Sequence, residues 1–177
     1  MGLVRRRRGG IPRAGRADRT RLRGRPVDGR ALALRLAEQR KVAGILLVNP
    51  AIATRDRRIP PAALLHRVLP SQKGIASDIA KPGIEERGYP RFSVTSLSTM
   101  TGLWSDARRG LGDITAPVLL MRSAEDHVVD DLSGELIGRR VADVTSVTLQ
   151  RSFHVATLDH DADVIVEESR RFITRHA

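Results

Sequence analysis

Short apolar runs alternate with segments of helical periodicity over most of this chain. Continuous apolar runs predict buried strands at residues 42–48, 117–122 and 144–149. Helices are predicted at residues 31–40, 130–141 and 162–174, and in the first of these Leu32, Ala33 and Leu36 share one face. Alternating strands and helices are typical of an α/β fold with a parallel sheet.

The segment between the first two strands follows a different pattern. Residues 51–110 lack strand signals and are rich in Pro, Arg and Ser. Helices are predicted at 61–69 and 94–109, with irregular chain at 71–90 between them. Four apolar residues recur at helical spacing in the second helix and are expected to be mainly core: Leu97, Met100, Leu103 and Trp104. Asp78 and Lys81 are interpreted as a solvated ion pair.

Two polar residues with complementary chemistry follow neighbouring predicted strands. Asp126 lies four residues beyond the end of the strand at 117–122, and His154 five residues beyond the end of the strand at 144–149. The carboxyl ends of parallel strands share one edge of the sheet, so the two side chains are expected to meet there. A histidine base needs a carboxylate to hold its tautomer. Either residue by itself would be an ordinary turn or loop residue; together they indicate an acid–histidine pair.

The amino-acid sequences around both residues resemble those of a known family. The segment Ser123-Ala124-Glu125-Asp126-His127-Val128-Val129 resembles the acid loop of the α/β-hydrolase superfamily, in its bacterial carboxylesterase and monoacylglycerol-lipase branch. The segment Ser152-Phe153-His154-Val155-Ala156-Thr157-Leu158-Asp159 resembles the histidine loop of that branch, and residues 75–84 resemble part of its lid. The resemblance implies the C-terminal part of an α/β-hydrolase domain at 31–177, with a lid inserted at 51–110.

The same resemblance implies a serine carboxylesterase or lipase-like ester hydrolase, with a small-molecule ester or monoacylglycerol-like substrate. Asp126 would orient His154, the general base, and a serine on a Gly-x-Ser-x-Gly elbow would be the nucleophile. No such motif occurs in the chain, and the early strands of the family are also absent. Other serines, among them Ser123, Ser133 and Ser152, are not predicted on a strand-to-helix turn. The chain as written is therefore expected to be inactive on esters.

Charge is concentrated at the N-terminus. Residues 1–30 hold eleven of the 31 basic residues but two of the 20 acidic ones, and so carry +9 of the net charge of +11. Their composition predicts a disordered basic tail, of the kind that binds nucleic acid or anionic lipid through phosphate charge. The segment contains no aromatic residue to stack on bases, so no specific nucleic-acid binding is expected.

A different interpretation of this tail comes from the genetic code. The elbow should lie just before Ala31, where the chain instead has Arg25-Pro26-Val27-Asp28-Gly29-Arg30. The permitted coding CGG CCT GTC GAT GGG CGG, shifted by one base, encodes Gly-Leu-Ser-Met-Gly-Gly, the elbow wording of the family. We therefore hypothesise that residues 1–30 are translated out of frame.

The remaining composition limits the chemistry. The chain has no cysteine, which excludes disulfides and thiolate metal sites, and no cofactor is expected. A metal site formed by Asp159, His160 and Asp161 is judged improbable, and His66, His127, His160 and His176 are assigned no catalytic role. A cytoplasmic location and no transmembrane segment are expected; the oligomeric state is left open. Two alternatives also stay open: a non-catalytic protein that binds through its basic tail, and a catalytically dead relative that binds ligand in its lid pocket.

Overall fold

A three-stranded parallel sheet forms the centre of the structure, which is a computed structural model. It describes residues 29–57, 71–73, 78–86 and 91–176; at 71–73 and 91–97 only the backbone is described. The sheet consists of β1 (Ile45–Val48), β4 (Val118–Ser123) and β5 (Val144–Leu149), in the order β1-β4-β5. Its register pairs Ile45 with Val118, and Val118 with Val144.

Four α-helices accompany the sheet in the described part of the chain. They are α1 (Gly29–Gln39), α2 (Val94–Gly110), α3 (Leu132–Arg140) and α4 (Ala162–His176). The order β4-α3-β5-α4 agrees with the prediction to within a few residues at each boundary. The three predicted strands and four of the five predicted helices are therefore confirmed, and the helix predicted at 61–69 lies outside the described residues.

Burial on both faces explains why β4 reads as a continuous apolar run. Val118 and Leu120 point into a core cluster shared with α1, α2 and α3, while Leu119 and Met121 point into a second cluster with α4. Successive strand residues face opposite sides of a sheet, so a central strand covered by helices on both sides needs apolar residues at every position. The three layers are therefore helices, sheet and helix.

One expectation about local structure is wrong. Residues 51–110 contain two short strands, β2 (Ser71–Lys73) and β3 (Arg91–Ser93), which pair antiparallel. Three residues are too few to produce a recognisable alternation. In α1, the residues that are fully buried are Ala31 and Leu34, whereas Leu32 and Leu36 are 45% and 55% exposed.

The expected core of α2 is found where its side chains are described. Trp104 is buried, and Met100 and Leu103 pack partly buried against the same cluster. The side chain of Leu97 lies outside the described part. None of the helices described here is both long enough and apolar enough to cross a membrane.

Candidate active site

The acid loop begins where β4 ends. Asp126 lies three residues beyond Ser123, and its Oδ1 accepts hydrogen bonds from the amides of Val128 at 2.9 Å and Val129 at 2.8 Å. Its side chain is 4% exposed. Burial by itself would raise the pKa of Asp126, but the hydrogen bonds from His154, Val129 and Val128 outweigh it and lower the pKa below its ordinary value. The carboxylate is therefore ionised at neutral pH.

The histidine loop brings its imidazole onto this carboxylate. His154 Nδ1 lies 2.9 Å from Asp126 Oδ2 and 3.1 Å from Oδ1. An ionised carboxylate only accepts hydrogen bonds, so Nδ1 carries a proton, and in the neutral imidazole the lone pair is then on Nε2. The two residues are 28 positions apart in sequence and meet because β4 and β5 are parallel neighbours. The predicted contact between Asp126 and His154 is present.

A buried asparagine after β1 forms hydrogen bonds to the histidine loop. Asn49 Nδ2 donates to the carbonyl oxygen of His154 at 2.8 Å and to Ser123 Oγ at 2.9 Å. Its Oδ1 accepts the amide of Ser123 at 2.8 Å. Asn49 has a positive φ of 47°, a conformation that asparagine tolerates better than most residues. Its side chain therefore ties the ends of β1 and β4 to the backbone of His154.

The N-terminal end of α1 lies beside Nε2 of His154. Arg30, the second residue of α1, has its Nη1 3.4 Å from His154 Nε2 and also donates to the carbonyl of Asn49. A nucleophile that delivers a proton to Nε2 would have to reach this position. Residues 25–28, where the resemblance expects the elbow, lie outside the described residues.

The three serines considered from the sequence have structural partners. Ser123 Oγ donates to the carbonyl of Phe153, and Ser133 Oγ accepts the amides of Ile52 and Ala53. Ser152 Oγ donates to Asp161. All three are buried. Their hydroxyl groups are engaged in holding loops and helices together, which agrees with leaving them out of the catalytic assignment.

The acidic residues near the start of α4 also have structural partners. Asp159 accepts amide protons from Ala80, Lys81, Phe153 and His160, and Asp161 accepts the amide of Arg151. For both residues burial would raise the pKa, but these hydrogen bonds lower it. The described residues contain no group of three or more His, Cys, Asp or Glu arranged to hold a metal ion.

Two residues of the site were not found from the sequence. Asn49 is assigned no role from the sequence, although an asparagine at the carboxyl end of a parallel strand is a usable signal. Asp78 was interpreted as half of a solvated pair with Lys81, and this is wrong. Its carboxylate instead accepts the backbone amides of His127 and His154. Contacts over about 50 to 80 residues of chain leave no local pattern in a sequence.

Comparison with known proteins places this geometry in a family context. A thermostable monoacylglycerol lipase from Bacillus sp. (strain H-257) is 33% identical over an alignment of 159 residues, and the alignment covers 84% of this chain and 60% of that protein. A solved structure of metagenome-derived lipolytic enzymes, LipS and LipT, is also 33% identical, with a TM-score of 0.79 over 84% of this chain and 62% of that one. No protein-family model matches the chain.

A third similarity extends to the fold alone. The monoacylglycerol lipase of Paleococcus ferrophilus superposes with a TM-score of 0.67 at 20% identity, over 83% of this chain and 65% of that chain. The chain thus spans about three fifths of the length of these relatives. From the parallel sheet, the loops at its carboxyl edge and these similarities, the chain carries the C-terminal portion of an α/β-hydrolase fold.

Proposed function

We propose that this chain is part of a serine-type carboxylic ester hydrolase, in which Asp126 orients His154 as the general base. One observation carries the proposal. The 2.9 Å contact between Asp126 Oδ2 and His154 Nδ1 leaves Nε2 as the basic nitrogen, facing the N-terminal end of α1. A serine on the turn before that helix would donate its proton to Nε2 as it attacks an ester carbonyl.

The buried acid has two tasks in this mechanism. It holds the imidazole in the tautomer that exposes a basic Nε2, and it stabilises the imidazolium formed once the serine proton has been taken. The lowered pKa of Asp126 keeps the acid charged throughout the neutral range. His154 then returns the proton to the leaving alcohol, and a second round with water releases the carboxylic acid.

The proposed substrate is a small-molecule ester of the monoacylglycerol type. Support comes from the 33% identity to the Bacillus monoacylglycerol lipase and to the metagenome-derived lipolytic enzyme. The segment at 51–110 is proposed as the lid over the acyl chain. Lids of this kind exclude water and surround the substrate with apolar side chains.

The chain as written is proposed to be inactive, because it contains no Gly-x-Ser-x-Gly elbow. Arg30 supports this view, since its guanidinium occupies the side of His154 Nε2 that a serine hydroxyl would need. In the shifted frame this position is glycine, which would leave that space open. We therefore also propose that residues 1–30 are an out-of-frame translation of the elbow and its strand.

Sequencing the coding DNA through and upstream of the Ala31 codon tests the proposal. We expect the shifted frame to read Gly-Leu-Ser-Met-Gly-Gly and to continue upstream without a stop codon. The protein expressed from that continuous frame should hydrolyse p-nitrophenyl butyrate and a monoacylglycerol, whereas the present chain should not. Asp126→Asn and His154→Ala should each reduce kcat in the restored protein by several orders of magnitude.

Two results would contradict the proposal. A stop codon or nonsense in the shifted frame would mean that the basic tail is genuine, and the tail-binding alternative would take its place. That alternative expects salt-sensitive binding of DNA or anionic vesicles that disappears when residues 1–30 are deleted. Full activity of the restored protein after His154→Ala would also refute the assignment of the base.

A further inference from the structure

Asp78 contacts both loops that carry the acid–histidine pair. Its Oδ2 accepts the backbone amide of His154 at 3.0 Å and that of His127 at 3.2 Å, while Oδ1 lies 2.8 Å from His127 Nδ1. Its own carbonyl accepts the amide of Val155 at 3.1 Å. The side chain is 12% exposed. One residue from the segment 78–86 therefore joins the acid loop to the histidine loop.

These contacts fix His154 at both of its peptide groups. The amide of His154 donates to Asp78, and the carbonyl of His154 accepts from Asn49. The two partners come from segments that precede His154 by 76 and 105 residues. With both peptide groups bound, the backbone of His154 has little freedom to rotate, and the direction of its imidazole is set from outside the loop.

On the acid side, Asp78 binds the residue directly after Asp126. The amide of His127 donates to Asp78, and the next two amides, of Val128 and Val129, donate to Asp126. Three successive amides of the acid loop thus point at two carboxylates. Hydrogen bonds to ionised acceptors are roughly twice as strong as neutral ones, so the position of this loop depends on both acids.

The segment that carries Asp78 is itself held by the histidine loop. Asp159 accepts the amides of Ala80 at 2.7 Å and Lys81 at 2.9 Å, and the same carboxylate accepts the amide of Phe153. Asp159 is 2% exposed. Each segment therefore supplies a carboxylate to the backbone of the other, and Asp78 is held in place rather than hanging from a free loop.

We propose that Asp78 is a positioning residue for the Asp126–His154 pair. By binding the amides of His127 and His154 with one carboxylate, it sets the separation of the two loops and so the length of the hydrogen bond between them. The inference rests on the proposed function, since the pair that Asp78 positions is the proposed acid and base. Asp78 itself acts only through the two loops.

Nuclear magnetic resonance on the isotope-labelled full chain tests this role. A proton held between His154 Nδ1 and Asp126 should give a far-downfield resonance, which Asp126→Asn identifies by abolishing it. In Asp78→Ala and Asp78→Asn we expect that resonance to broaden or disappear. Exchange of the His154 amide should become about tenfold faster or more, because it loses a hydrogen bond to a charged acceptor. Asp143→Asn is the matched control: its carboxyl is exposed and it precedes β5, at the opposite end of that strand.

Protection of the β4 amides from hydrogen exchange shows whether a variant is still folded, and so separates a local effect from unfolding. If Asp78→Ala does not fold, Asp78→Asn is used for the test. An unchanged downfield resonance in both Asp78 variants, with β4 protected, would overturn the positioning role while leaving the proposed function intact. A parent protein without any resonance that Asp126→Asn removes would instead refute the acid–histidine pair, and with it the proposed function. Loss in both Asp78 variants, with Asp143→Asn like the parent, supports the role of Asp78.

Discussion

Replacement of Asn49 by alanine should be among the most destabilising single changes in the described part of the molecule. The side chain is buried and makes hydrogen bonds to the amide and hydroxyl of Ser123 and to the carbonyls of Phe153 and His154. Alanine removes all of them. The amide of Ser123, at the end of β4, then loses Asn49 Oδ1 as its acceptor and remains buried.

The magnitude follows from these contacts. A buried polar group that loses its partner costs about 1–3 kcal/mol, and here the amide of Ser123 and the carbonyl of His154 both lose theirs. The positive φ of 47° adds about 1 kcal/mol for alanine, because its Cβ is disfavoured in that region. We expect a total loss of about 3–7 kcal/mol, a large fraction of the stability of a typical domain.

Urea unfolding followed by fluorescence is the appropriate assay, since Trp104 is the single tryptophan and is buried in the core. Asn49→Gly is the matched control: it loses the same hydrogen bonds but tolerates the positive φ, so it should unfold at about 1 kcal/mol less cost than Asn49→Ala. Losses below about 1 kcal/mol in both variants would show that these bonds do not hold the loop, and would refute the reasoning.

The remaining predictions concern pH and the sheet. The pKa of Asp126 is lowered in the folded state, so its contribution to stability is complete above the ordinary aspartate pKa and is lost as the pH falls through the lowered value. In Asp126→Asn this contribution is absent, and the free energy of unfolding, measured in urea, should therefore depend less on pH on the acid side. The hydrogen bond to Asp78, and then the charge of Asp78, raises the pKa of His127. The contribution of this pair to stability is therefore complete below the ordinary histidine pKa and disappears as the pH rises through the raised value. An NMR titration should find the pKa of His127 above its ordinary value in the parent and lower in Asp78→Asn; equal values in both proteins would contradict the pairing. In β1, Leu47→Ala should cost about 2–5 kcal/mol and Leu46→Ala much less, because Leu47 is fully buried and Leu46 is 38% exposed; similar midpoints in urea would contradict the described faces of the strand.

Strands and helices could be predicted where their apolar pattern extended over enough residues. The runs that became β4 and β5 were long enough to identify, and the helix predicted at 162–174 matches α4 except for its last turn. The strands β2 and β3 have three residues each, and such short runs are indistinguishable from loop. The face of α1 that is buried was also missed, because leucines lie on both sides of that helix.

In the site, the partners that belong to adjacent parallel strands could be predicted and the more distant ones could not. Asp126 and His154 follow neighbouring strands, and the rule that side chains collect at the carboxyl edge of a parallel sheet brings them together. Asn49 lies on the same edge but was not assigned a role. Asp78 comes from the segment between β1 and β4, where no periodic pattern relates it to either loop.

The sequence by itself determined the order of the three central strands and their flanking helices, because apolar periodicity is a local property of neighbouring residues. It also determined that an acid follows β4 and a histidine follows β5. Only the tertiary structure decided which groups hold that pair in place. Asp78 and Asn49 bind the two peptide groups of His154 from 76 and 105 residues away, and such contacts form only once the sheet has brought its carboxyl edge and the preceding segments together.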